Sequence, residues 1–506
     1  MVFLPNNSRL LLVLFALGAA ACIYLRRFFT HRQIARAHGC KTVANACNKD
    51  PFLGLDTIRW TARAYREHKL LERTAELFRI HGNTFTKKVL HTSAIVTVEP
   101  ENIKTILSLK FNDYGIGFRL EPFKALLGKG IFDTDGDHWA ASRALVRPSF
   151  TRDQIADLTS LENLIQDLFK LLPRDGKTIV DLQELFFRYT IDSATEFLFG
   201  ESVGTLKKAQ LEREFAQAFQ YAQNAIITRA TLGPLKIFHS DPKADEANRT
   251  CREFVQRFVD EAFRAVETKK DTEEGEASSL QHKHVFAHEL ASRTSDRTRV
   301  LDELMNLLIA GRDTTASLLS NLFFMLAKNP AIWEKLRLEV AFLQGRAPSY
   351  EELRSLKYLH CCMNESLRLH PVVPRNEREA VRDTILPLGG GKDGLSPVFV
   401  PKGTIVGYCI YAMHRRQDIY GDDAEEFCPE RWEGGKLQPR WGYLPFNGGP
   451  RICIGQRYAL TEAAYVIARM AQEFKVLVSR DTGVWEESVA LTLCSRNGVK
   501  VSLTPA

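Results

Sequence analysis

Apolar positions along this chain recur mostly at helical spacing, and only three short runs read as strands: Ile95 to Val98, Ile405 to Ile410 and Val499 to Leu503. The longest helical pattern begins near Ser295 and stops before Pro330, whose ring removes an N–H and biases the preceding residue away from the helix. Another runs from Gln456 to Phe474. The pattern predicts a mainly α chain with minor β, without internal repeats. The segment Thr268 to Ser279, rich in Glu, Lys and Ser, reads as a surface loop or a short disordered insert. Near the N-terminus, Leu10 to Leu25 is apolar and is followed by Arg26, Arg27, Arg32 and Arg36. Sixteen helical residues at ~1.5 Å each cover about 24 Å, short of a hydrocarbon core of about 30 Å, and snorkelling by Arg9 and the flanking basic residues closes the gap. Ala19-Ala20-Ala21 satisfies the small-residue rule for cleavage, so a signal peptide is the competing reading. The heavier positive flank lies on the C-terminal side, which favours an uncleaved single-pass anchor in the endoplasmic reticulum membrane with the remainder cytosolic. The predicted organisation is a short segment 1–9, an anchor 10–25, a basic linker 26–50 and one large domain 51–506, entered at Asp50 to Asp56.

Composition narrows the function classes. Of 506 residues, 45% are hydrophobic and 25% charged, enough for a large core. The net charge of +7 comes from 68 basic against 61 acidic residues, with no long basic run carrying interleaved aromatics. Nucleic-acid binding has no support in that pattern. The 10 cysteines form no CxxC, which argues against a zinc site or disulfide framework and fits a reducing compartment.

One cysteine stands in chemically loaded surroundings: Phe446-Asn-Gly-Gly449-Pro-Arg451-Ile-Cys453-Ile-Gly455. A thiolate bound to haem iron donates electron density that favours O–O cleavage, and it survives where hydrogen-bond donors and limited solvent protect the sulfur. Gly449 and Gly455 allow turns that aim backbone N–H groups at the sulfur, Phe446 can cover it, and Arg451 is placed to reach a haem propionate. The helix that follows offers its positive end to the anion. A second constellation lies in the long helix pattern, Ala310-Gly311-Arg312-Asp313-Thr314-Thr315. Small Ala310 and Gly311 leave room for a flat macrocycle. The Thr314 hydroxyl can bond back to the preceding turn and open a polar notch, where an acid beside an alcohol forms a proton relay for dioxygen reduction. Glu365 and Arg368 share a helix face in Glu365-Ser-Leu-Arg368, and Phe427-Cys-Pro-Glu-Arg431-Trp432 supplies a second arginine. Trp139 and Arg143, four apart, project from one helix face.

These residues together resemble the cytochrome P450 family: its FxxGxRxCxG loop, its AGxDTT and ExxR helices, its PERW segment and its WxxxR pair. The resemblance implies a cytochrome P450 fold, with haem b between the long central helix and the cysteine loop and Cys453 as axial ligand. It implies a monooxygenase whose relay is Asp313 and Thr314. It further implies a structural triad of Glu365, Arg368 and Arg431, and propionate contacts from Trp139, Arg143 and Arg378. Asp181 to Arg188, Thr190 to Ser202, Phe399 to Gly403 and Ala412 to Arg416 resemble the fungal alkane- and fatty-acid-hydroxylating branch. The implied reaction is hydroxylation at or near the terminus of a fatty acid or alkane, with electrons from NADPH-cytochrome P450 reductase docking near Arg143, Arg147 and Arg457. Oxidation of a fungal polyketide, terpenoid or lipopeptide intermediate remains the alternative. By position, the apolar pocket draws on Ile116, Phe118, Phe123, Asn306, Ile309, Val372, Val373 and Leu493. The run Gly389 to Gly394 lacks the Lys-Ser/Thr and helix of a phosphate loop and reads as a strand connection.

Overall fold

The computed structural model describes residues 6–46, 50, 53–89, 92–151, 156–207, 210–232, 239–272 and 285–506. Helices dominate and strands are few, as the periodicity predicts. Those that position the site are α1 (Asn6–Ala37), α2 (Gly136–Val146), α3 (Leu182–Phe199), α4 (Gln210–Leu232), α5 (Pro242–Thr272), α6 (Arg297–Lys328), α7 (Lys357–Leu369) and α8 (Gln456–Glu473). The chain divides into two units. The smaller comprises Met1–Trp60, Ala75–Gly115 and Glu377–Tyr408, and the larger Thr61–Thr74, Ile116–Asn376 and Cys409–Ala506.

The smaller unit carries most of a six-stranded mixed sheet. Its strands are β1 (Ala44–Asn45), β2 (Thr84–Val89), β3 (Thr92–Thr97), β4 (Tyr114–Gly115), β5 (Arg375–Ala380) and β6 (Ile405–Cys409), in the order β1-β2-β3-β6-β5-β4. β2 and β3 form an antiparallel hairpin, and β3 pairs in parallel with β6, Val96 opposite Gly407. The glycine run is a hairpin connection: Thr384–Gly390 pairs antiparallel with Ser396–Val400, and Gly389 N–H donates to Gly394 O at 2.7 Å. At Gly389 the backbone takes φ +113°, and an added Cβ would lie 2.6 Å from Thr84, so glycine is required there.

Two readings of the N-terminal and surface segments change. Residues 10–25, read as the anchor, and 26–36, read as linker, lie in the one helix α1, because Arg26, Arg27 and Arg32 are good helix formers. Leu14, Phe15, Leu17, Ile23, Tyr24, Leu25 and Phe29 on it are exposed. Among the described residues no helix is long and apolar enough to cross a membrane, so the spanning reading is not carried forward. The surface loop placed at Thr268 to Ser279 is helical through Thr272, and residues 273–279 lie outside the described residues.

In the larger unit α6 is the organising element. Asp296 caps it by accepting from Arg299 N–H at 3.0 Å, and Asn329-Pro330 ends it. Its first half places Val300, Leu304, Met305 and Leu308 in a cluster with Phe215, Phe219, Val255, Val259 and Phe286. Its second half places Leu319, Leu322 and Phe323 in another with Phe186, Trp333, Leu359, Val466 and Ile467. Burying a Leu or Phe contributes about 1.5–3 kcal/mol, so both halves of α6 are fixed by packing while the stretch between them is free to be polar. That stretch holds Ala310 to Thr315.

Candidate active site

In the middle of α6 three residues keep accessible surface, Ala310, Gly311 and Thr314, while every neighbour from Val300 to Ile309 and from Thr315 to Phe324 is buried. Spaced by one and four, they form a strip on one face. Thr314 Oγ1 donates to Ala310 O at 2.6 Å, the back-bond that opens a notch in a helix wall. Asp313 is turned away from that strip. It is buried and ion-paired with Arg312 at 2.8 Å, and burial pushes its carboxyl up while Arg312 pulls it down.

The cysteine loop folds tightly. Gly449, at φ +67°, starts a single 3₁₀ turn to Arg451, and Cys453 N–H donates to Phe446 O at 3.0 Å. Gly448 is also obligatory, since a Cβ there would lie 2.6 Å from the Trp441 ring. The Cys453 thiol lies deep enough for burial to push its pKa up, yet the residue has accessible surface. The two facts agree if the sulfur faces an internal cleft. The Gly455 N–H and the Arg143 guanidinium beside it pull the thiol back down; of these, Gly455 is expected from the sequence as a donor to the sulfur and Arg143 as a propionate contact. Phe446 is half-buried against the core.

Trp139 and Arg143 share α2, and Arg451 joins them, its guanidinium 4.4 Å over the Trp139 ring. Arg451 also pairs with Asp135 at 2.6 Å and donates to Thr134 O at 2.8 Å, so its fork is largely committed to the 131–135 loop. Arg143, half-buried, has no carboxylate partner among the described residues, and burial lowers its pKa. Arg378 lies in the smaller unit, buried, donating to Glu377 O at 2.8 Å with its guanidinium 5.8 Å over the Tyr408 ring. Along β5 the two-residue alternation puts Arg378 on the buried face with Ala380 and leaves Arg375 exposed. Arg375 has no carboxylate partner among the described residues, and reading the alternation from Ala380 backwards would have singled it out.

Glu365, Arg368 and Arg431 come together in one hydrogen-bonded group. Glu365 and Arg368 are fully buried, joined at 2.8 and 2.9 Å, and Arg431 donates to Glu365 at 2.8 Å. Arg368 further donates to the carbonyls of His414, Ala424 and Glu426. Sequence reasoning missed Trp432 and Cys428, whose indole N–H and backbone N–H also donate to Glu365, both at 2.9 Å.

Among the pocket candidates, Ile116 is buried with its N–H on Asp135 at 2.7 Å, Phe118 is half-buried under Arg119, and Phe123 packs with Ile309 in the first-half cluster. Val372 O accepts from Leu493 N–H at 3.0 Å, and Val373 is half-buried against the same core as Val372. Asn306 is spent structurally: its amide nitrogen donates to Leu127 O and Asp302 O, and its oxygen accepts from Phe132 N–H.

The residues present fit a haem. The Cys453 residue keeps accessible surface with a donor and a cation beside its thiol, a helix wall of small residues carries a hydroxyl, and the half-buried Arg143 and exposed Arg375, without acid partners among the described residues, offer cations to a group bearing two carboxylates. The sequence profile of the Cytochrome P450 family matches residues 57–499, and the chain belongs to that family. It is therefore a monooxygenase of the oxidoreductase class, and haem b held by a cysteine thiolate is its cofactor. The chain is 48% identical over 496 residues to cytochrome P450 monooxygenase himC of Aspergillus japonicus, covering 97% of this chain and 89% of the relative. It is 47% identical over 484 residues to cytochrome P450 monooxygenase fsdH of Fusarium heterosporum, covering 94% and 85%. It is 46% identical over 428 residues to cytochrome P450 52A3-A of Candida maltosa, covering 81% and 80%.

Proposed function

We propose that Cys453 is the axial ligand, that Trp139, Arg143, Arg451 and Arg375 hold the propionates, and that the enzyme hydroxylates a long-chain fatty acid or alkane at or near its terminus. The observation that carries the site assignment is the accessible Cys453 thiol flanked by the Gly455 N–H and Arg143. Haem b, when bound, supplies the dioxygen reduction and oxygen insertion common to the family. The chain's own part is to shield the thiolate, to seat an apolar substrate against Ala310 and Gly311, and to hold a proton at Thr314 Oγ1. Asp313 replenishes that proton. Arg378, which gives one nitrogen to Glu377 O and lies over the Tyr408 ring, is a further propionate candidate.

Substrate class rests on the resemblance of Asp181 to Arg188 and Thr190 to Ser202 to the fungal alkane and fatty-acid branch, and on the likeness to cytochrome P450 52A3-A. The second reading is oxidation of a polyketide, terpenoid or lipopeptide intermediate, and the Aspergillus and Fusarium relatives, named only as cytochrome P450 monooxygenases, are compatible with either. Electrons come from NADPH-cytochrome P450 reductase. The exposed apolar residues of α1 attach the chain to the endoplasmic reticulum membrane, with both units in the cytosol. The deciding experiment is a spectral-shift screen of fatty acids, alkanes and host metabolite extracts, followed by product analysis with reductase and NADPH. Terminal hydroxy acids or alcohols support the first reading. Binding and turnover confined to a cyclic or polyketide-like metabolite replaces it with the second.

A further inference from the structure

The acid assigned to proton delivery does not face the notch it serves. Asp313 and Thr314 are consecutive on α6 and so point about 100° apart. Thr314 is accessible, whereas Asp313 is buried against its neighbour Arg312, which is itself buried. One nitrogen of Arg312, Nη1, holds Asp313 Oδ1 at 2.8 Å and Gln220 Oε1 of α4 at 3.0 Å. The guanidinium is flanked by the rings of Phe187 at 5.1 Å and Phe219 at 5.8 Å, on α3 and α4. A buried cation flanked by two aromatic rings has few positions open to it, and the hydrogen bond that Arg312 donates to Gln220 selects one.

The other groups facing the pair are the Gln223 side chain from α4, the buried Cys251 thiol from α5 and the Cys494 thiol from strand Leu493–Ser495. None is a second cation or carboxylate. Among the described residues Arg312 alone therefore compensates the charge of Asp313, and α4 alone of the neighbouring elements grips Arg312 through a hydrogen bond. While that grip holds, Arg312 offsets part of the burial that pushes the carboxyl up and keeps it turned from Thr314. If α4 shifts and Gln220 withdraws, Arg312 is free to rock between its aromatic neighbours, and Asp313 can swing toward the notch and carry a proton with it.

We infer that Arg312 is a positioning residue for Asp313 and that Gln220 ties it to α4, so that the seating of α4 governs proton delivery to Thr314. This rests on the relay role given to Asp313 and Thr314 above. The coupling needs no contact between α4 and the reacting atoms, since it acts through one guanidinium shared by two elements.

The test uses full-length, haem-loaded protein and reads the Asp313 carboxyl by infrared difference spectroscopy against Asp313→Asn, as a function of pH. In Arg312→Gln the carboxyl loses its cation, and its titration midpoint should rise by about 1–3 pH units. Arg312→Lys keeps the charge and should restore most of the wild-type midpoint. Gln220→Ala should raise the midpoint by less than Arg312→Gln and should speed hydrogen exchange of α4. An unchanged midpoint in Arg312→Gln overturns the inference, and an unchanged midpoint and exchange in Gln220→Ala overturns its link to α4. If Arg312→Gln does not fold, Gln220→Ala carries the test beside Arg312→Lys, a wild-type midpoint and wild-type α4 exchange in Gln220→Ala being the refuting result. Peroxide released per NADPH, with dodecanoic acid as the probe, separates this inference from the reading beneath it. Thr314→Ala without added peroxide release refutes the relay and leaves the Arg312 result standing.

Discussion

Replacing Glu365 with alanine removes the acceptor shared by Arg368, Arg431, Trp432 and the backbone of Cys428. Arg431 keeps a partner, because Asp423 pairs with it at 3.0 Å. Arg368 does not: its remaining contacts are the carbonyls of His414, Ala424 and Glu426, and it is fully buried. Breaking one side of a buried ion pair costs about 3–5 kcal/mol, and an orphaned buried donor such as the Trp432 indole adds about 1–3 kcal/mol. The sum, about 4–8 kcal/mol, is comparable with the whole stability of a typical domain, about 5–15 kcal/mol. The expected outcome is little or no haem-loaded protein, measured as CO-difference absorbance per mole of chain, and a much lowered urea midpoint by circular dichroism. Buried pairs elsewhere are often replaced by apolar residues without loss. Here Glu365→Leu with Arg368→Met should not rescue, because three carbonyls and two N–H donors lose their partners together. Wild-type haem content and midpoint in either variant would refute the reasoning.

Thr314→Ala removes the hydroxyl that bonds Ala310 O, and peroxide release per NADPH should rise several-fold while binding spectra stay unchanged; coupling equal to wild type contradicts the relay. Burial pushes Glu462 on α8 up to about 7, against the Ser193 and Thr315 hydrogen bonds that lower it. A carboxyl whose folded pKa is raised lends stability below its ordinary value, near 4.5, and loses it as pH climbs through about 7. The decline is on the order of 3 kcal/mol, and Glu462→Gln should flatten it in urea midpoints taken between those pH values. Charge reversal at the exposed Arg147 should slow reductase-driven turnover and spare peroxide-driven turnover, whereas equal loss in both assays removes it from the docking face.

What was legible in the sequence was whatever chemistry is local. The cysteine loop, the Ala310 to Thr315 stretch, the Glu365 and Arg368 pair and the Trp139 and Arg143 pair each hold their geometry within one turn or one helix face. Asp296 and Pro330 bracket α6 within two residues of the expected ends. What escaped was set by distant chain. Gln220 lies 92 residues from Arg312. Nothing in the Asp313-Thr314 dipeptide announces that its acid is already paired. Sequence position places Asn306 in the pocket, and its amide is engaged by Asp302 O and by the 127–132 segment, the latter of which the helix alone cannot reveal. Arg378 follows from the resemblance, while the exposure of Arg375 shows only once the two-residue period of β5 is in place. At the N-terminus, apolar length alone could not mark where α1 ends, because arginines continue a helix as readily as leucines do.

The most direct measurement is the reduced, CO-bound absorption spectrum of the purified protein beside that of Cys453→Ala. The red-shifted Soret band of a thiolate-bound haem in the wild type, lost in the variant while the fold by circular dichroism persists, is the predicted result. A wild-type spectrum without that band, or a variant that keeps it, contradicts the assignment of Cys453 as the ligand.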